Sequence, residues 1–153
     1  MNPYHTIAAL HAVFSGTSVS SPRVIHLLQP GAAFSAWLHP KNLGICVDNL
    51  GASPLLHWAA FGEAVKLLCE SSGCATRGNG TAGRLGSDVC PLNSVEGHVA
   101  NRVYGKTTGD AVFRRISAIA AILIDAGICD QHDGKLCLVS PCDPTPGGFG
   151  CSQ

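Results

Sequence analysis

Charge is what this sequence has least of. Only 13% of its residues are charged, against roughly 25% in ordinary soluble domains, and ten Lys plus Arg face ten Asp plus Glu, for a net charge of zero. The cations are not clustered. Arg114-Arg115 is the tightest pair, and Arg77, Arg84, Arg102 and Lys106 are scattered. Nucleic-acid binding draws on counterion release by clustered cations, so this class of partner is excluded. Long apolar runs are missing too. The best candidate, residues 116–128, is broken by Ser117, Asp125 and Gly127, short of the ~18 residues that span a bilayer, and reads as a core helix. No membrane is expected as a partner. The stretch Met1-Asn2-Pro3-Tyr4-His5 has no cationic start, and His11 interrupts the apolar run from Thr6 to Phe14. A secretory leader has neither feature, so the expectation is an intracellular, cytoplasmic chain with its thiols reduced. So little charge gives little protection against self-association.

What is present is enough for a core. Apolar residues make up 46% of 153, which suits one domain at roughly 150 residues per domain, while 18 Gly and 9 Pro put much of the chain in loops. Eight cysteines fall below the ~8–10% density of small disulfide scaffolds. Cys46, Cys69 and Cys129 stand in apolar surroundings and read as small core residues. Cys137-x4-Cys142 mirrors Cys69-x4-Cys74, yet a zinc site ordinarily shows a tight Cys-x2-Cys knuckle, and this sequence has none. No metal ligand and no cofactor are assigned.

Three stretches look alike. The first joins Leu10-His11 to Val24-Ile25-His26-Leu27-Leu28 and Gly31. The second runs from Asp48 through Gly51, Ser53, Pro54 and His57 to Leu68 and Gly73. The third ends in Ile119-Ala120-Ala121-Ile122-Leu123 and Gly127. In each, an apolar helix is expected to be closed by Gly in the left-handed conformation. Ser53 before Pro54 predicts a capped helix over about 54–61, and Gly62 a turn into a second helix over about 63–71. A shorter helix is expected over 95–104.

These residues resemble the ankyrin repeat, a turn plus two antiparallel helices with a Thr-Pro-Leu-His-x-Ala signature. Asp48-x-x-Gly51-x-Ser53-Pro54-Leu55, with one extra Leu before His57-x-Ala59-Ala60, carries the likeness. The resemblance implies an all-α array of about three stacked units over residues 1–139, with an irregular insertion at about 74–104 and a Pro/Gly-rich tail over 140–153. It also implies a function: non-catalytic binding of a protein partner on a concave face. Asn49 and Leu50 in the turn, with Trp58 and Phe61 on the first helix, are the expected contacts. Asp48, Gly51, Ser53, Pro54, His57 and Gly127 are the expected structural positions, with Ser53 and His57 locking the turn by hydrogen bonds.

Catalytic readings fail on spacing. Gly105-Lys106-Thr107 lacks the earlier glycine of a phosphate loop, because that position is Ala100. Cys90 and His98 lie close in sequence without an orienting third group. Asp130, His132 and Asp133 are too few for a calcium loop and read as a solvated turn. The alternative to a binding scaffold is a small helical metal protein or enzyme using the Cys and His residues.

Overall fold

A computed structural model describes residues 2–142. Its elements run α1 (Pro3–Val13), β1 (Arg23–His26), β2 (Ala33–Leu38), β3 (Gly44–Val47), β4 (Leu55–His57), α2 (Trp58–Glu70), β5 (Cys74–Thr76), α3 (Val95–Arg102), α4 (Ile116–Asp125), β6 (Cys129–His132) and β7 (Lys135–Leu138). Strands β1 to β4 form an antiparallel meander, and the second sheet has the order β5-β7-β6, also antiparallel. The expected all-α ankyrin array is therefore overturned: the fold is mixed, with two sheets.

The physical reasons lie in short segments. Val24-Ile25-His26, expected as helix, is a strand paired with β2. A short β-branched run carries no readable helical period, and its turn residues decide. Here Pro30-Gly31 supplies the turn, Gly31 having a φ of 81°, and the Leu27 amide donates to the Ala32 carbonyl at 2.9 Å. In β2, Phe34 and Ala36 are buried while Ser35 and Trp37 lie on the other face, the two-residue period of a half-buried strand. Leu55-Leu56-His57 is likewise a strand, so the helix expected over 54–61 starts only at Trp58 and runs unbroken through Gly62.

The inner face of the meander (Ile25, Phe34, Ala36, Ile45, Val47, Leu56) shares one core with Leu10 and Phe14 of α1, Phe61, Val65 and Leu68 of α2, and Ile119, Ile122 and Leu123 of α4. Ala75 and Leu136 bring the second sheet into it. Residues 74–104 contain β5 and α3, and the loop between them folds over a smaller cluster of Leu85, Cys90, Ala100 and Val112.

Helix ends follow local chemistry. Asn2 caps α1, its side chain accepting from the His5 amide at 2.9 Å, with Pro3 in the first turn. Ser94 caps α3 through the Gly97 amide at 3.1 Å. Helix α4 has no cap of its own, and Glu96 supplies one from α3. Its Oε1 accepts from the Arg115 amide at 2.9 Å and its Oε2 from the Ile116 amide at 3.5 Å.

Two disulfides, Cys69–Cys142 and Cys74–Cys137, join α2 and β5 to the chain at and beyond β7. They overturn the expectation of reduced thiols. Cys69 is a half-cystine rather than a free core residue, whereas Cys46, Cys90 and Cys129 are free and buried. The four cysteines that mirror each other in sequence thus meet in pairs, as bonds rather than as a metal site. Of the expected tail over 140–153, residues 143–153, with Cys151, lie outside the described residues. Among the described residues, no helix is long and apolar enough to cross a membrane.

Candidate binding cleft

The β2–β3 hairpin turns at Asn42, whose φ is 58° and whose amide donates to the His39 carbonyl at 2.8 Å. This turn stands beside the C-terminal end of β4, because Gly44 pairs with His57. Trp58, the first residue of α2, fastens the two together. Its indole N–H donates to the Asn42 carbonyl at 2.9 Å and its backbone amide to the Leu43 carbonyl at 3.2 Å. The Trp58 ring lies 5.9 Å from His11 of α1 and 6.5 Å from Phe61.

Between this turn, α1 and the loop after α1 lies a cleft of about 400 Å3 lined by His11, Thr17, Ser18, Val19, Trp37, Leu38, His39, Pro40 and Asn42. Its wall is fixed by Thr17, whose hydroxyl donates to the Phe14 carbonyl at 2.7 Å and accepts from the Leu38 amide at 3.0 Å. The lining contains two imidazoles, one indole and hydroxyls, but no carboxylate, ammonium or guanidinium. His39 accepts the Lys41 amide on Nδ1 at 3.0 Å. The neutral ring therefore carries its proton on Nε2, as a donor. An imidazole so arranged is set to bond a ligand acceptor rather than a metal, which needs a bare nitrogen. Among the described residues, no group of three His, Cys, Asp or Glu side chains is arranged to hold a metal ion.

The residues expected to make contacts scatter. Asn49 is exposed and Leu50 half-buried in the β3–β4 loop, at the opposite end of that hairpin from Trp58. Phe61 is fully buried and offers no surface to a partner. Trp58 is half-buried behind the cleft turn. Among the structural positions, Asp48 accepts the Ser35 amide at 2.9 Å and ties β2 to β3. Gly51, Ser53 and Pro54 are exposed in the β3–β4 loop, and the Pro54 carbonyl accepts from the Val47 amide at 2.9 Å. Ser53 is separated from α2 by β4, so it does not cap that helix. His57 occupies the cap position without a side-chain capping bond, its ring 6.0 Å from Tyr104. Gly127 closes α4 with a φ of 77°. Trp37 and His39 are not among the expected contacts, although Trp37 stands at an outward strand position beside the Pro40 turn.

The acid–base groups elsewhere are built into the scaffold. His98 Nε2 meets Glu63 Oε1 at 2.9 Å, joining α3 to α2. Glu96 is 2% exposed, and burial pushes its carboxyl above the ordinary carboxylate range. Burial, with the Glu96 charge second, also raises the Cys90 thiol, which favours the unreactive neutral form. Burial pushes Cys129 up to about 12. Asp130 and His132 are 61% and 66% exposed on their side chains and 3.8 Å apart, on the β6–β7 hairpin.

No family model matches the sequence, and neither a curated protein nor a solved structure matches it.

Proposed function

We propose that the protein is a non-catalytic binding module that takes an uncharged segment of a protein partner into the His11–Trp37–His39 cleft. The observation that carries this reading is the lining itself. Aromatic and imidazole rings turned outward suit recognition, since Trp is enriched among interface hot spots, and a site without formal charge selects against charged partners by leaving their ions desolvated and unpaired. A volume near 400 Å3 accommodates two or three side chains, in the usual range for a ligand pocket. The reading keeps the binding function and abandons the concave repeat face. It also replaces the cytoplasmic setting: two disulfides favour maturation in an oxidising compartment.

The test is selection from a random peptide display on the oxidised protein. Uncharged, aromatic-containing sequences are expected to be enriched, and Trp37→Ala is expected to weaken their binding by about tenfold or more, the equivalent of ~1.4 kcal/mol, with the circular dichroism spectrum unchanged. Enrichment of acidic or basic peptides, or binding indifferent to Trp37→Ala, would rule the cleft out.

A further inference from the structure

The two disulfides differ in what surrounds them. Cys69 and Cys142 both line an open cleft of about 390 Å3, beside Ser72, Gly73 and Ser140. The chain leading to Cys142 is exposed, Val139 at 60%. Cys74 borders the same cleft, but its partner Cys137 is 6% exposed and sits on β7, the central strand, hydrogen-bonded on both sides and directly opposite Cys74 in register. Breaking that bond would free neither cysteine from its sheet. Breaking Cys69–Cys142 would untie the exposed segment at residues 139–142 from α2.

We propose that Cys69–Cys142 is a thiol–disulfide exchange site for a small-molecule thiol, while Cys74–Cys137 is the structural bond that keeps the fold during exchange. The direction of attack follows from position. Cys69 lies in the last turn of α2, where the negative end of the helix dipole disfavours a thiolate, whereas Cys142 lies in the exposed segment after β7. The better thiolate leaves. The incoming thiolate therefore bonds to Cys69 Sγ as the Sγ–Sγ bond breaks, and Cys142 departs as thiolate and takes a proton from water. The incoming sulfur is oxidised and Cys142 is reduced, so the electrons balance. A second thiolate can attack the small-molecule sulfur of the mixed disulfide, releasing the free disulfide and leaving Cys69 as a thiol.

The full chain, oxidised, is titrated with reduced glutathione at mildly alkaline pH, quenched with iodoacetamide and mapped by peptide mass. Glutathione is expected on Cys69 and the alkyl label on Cys142, at thiol concentrations about tenfold or more below those that open Cys74–Cys137. Coincident opening, the reverse order, or glutathione on Cys142 overturns the assignment. In Cys142→Ser, oxidised glutathione is expected to modify Cys69 while the protein stays folded, and a folded variant whose Cys69 stays unmodified also overturns it. Should that variant fail to fold, the wild-type map decides alone.

Discussion

Two glycines inside helices have opposite meanings. At Gly97 an added Cβ would collide with the Pro91 carbonyl, which belongs to backbone and cannot move aside. At Gly62 the same atom would rest in ordinary contact, 3.6 Å from Pro3 and 3.8 Å from Ile7 of α1. Gly62→Ala is accordingly expected to stabilise by about 0.5–1 kcal/mol, the helix-propensity gain, and Gly97→Ala to destabilise by at least the ~1–3 kcal/mol of an overpacked core, both read from urea unfolding. Glu96 makes stability depend on pH. Its folded-state carboxyl titrates above its unfolded value because burial outweighs the amides it accepts and the nearby Arg114. The folded state thus holds the proton more tightly, so this group's contribution is complete below the ordinary carboxylate range and is lost as pH rises through the raised value. Glu96→Gln removes that titration. The stability advantage of the wild type over Glu96→Gln is expected to shrink as unfolding is measured from acid toward neutral pH, and a growing advantage would mean that the donated amides outweigh burial.

At the level of elements, helix termini show what can be read in advance. Gly127 is expected to close a helix, and it does so in a Schellman arrangement: its amide donates to the Ile124 carbonyl and that of Ile128 to the Leu123 carbonyl, both at 3.0 Å. Nothing lies within 4 Å of an added Cβ there, so Gly127→Ala is expected to cost about 1–2 kcal/mol from the left-handed backbone alone. Ser53→Ala, by contrast, is expected to change thermal stability by no more than about 0.5 kcal/mol, the range of a surface site without a special role. The helices over 95–102 and 116–125 are legible in the sequence, the second because it repeats apolar residues at helical spacing over ten positions. The strands are not, because three to six residues give too few turns of either period to separate them. Their signal lies in the connections. Asp133-Gly134, between Cys129–His132 and Lys135–Leu138, is a two-residue hairpin turn with φ of 51° and 76°, and Pro30-Gly31, with Gly31 at a φ of 81°, punctuates the longer connection between β1 and β2. The cleft is hidden for a related reason. His11, Trp37 and His39 come from segments that only the meander and α1 bring together.

The whole molecule is held by nested loops. Cys69–Cys142 spans 73 residues and encloses Cys74–Cys137, which spans 63. With either bond in place, the other closes only the short ring formed by residues 69–74 and 137–142, about a dozen residues, so in the chain-entropy treatment removing either one alone costs about 3 kcal/mol. Removing both also frees the long loop, a further ~4 kcal/mol, for about 7 in total. The bonds are therefore mutually redundant against unfolding: each protects the large loop when the other is open. This arrangement is what would let Cys69–Cys142 exchange without loss of the fold. In a double-mutant cycle of Cys69→Ser/Cys142→Ser against Cys74→Ser/Cys137→Ser, the four-cysteine variant is expected to lose more stability than the two paired variants summed, by about 1–2 kcal/mol. Equal loss would mean that the bonds act through local packing rather than through the closed loop, and a smaller loss would mean that the unfolded chain is already compact between residues 69 and 142.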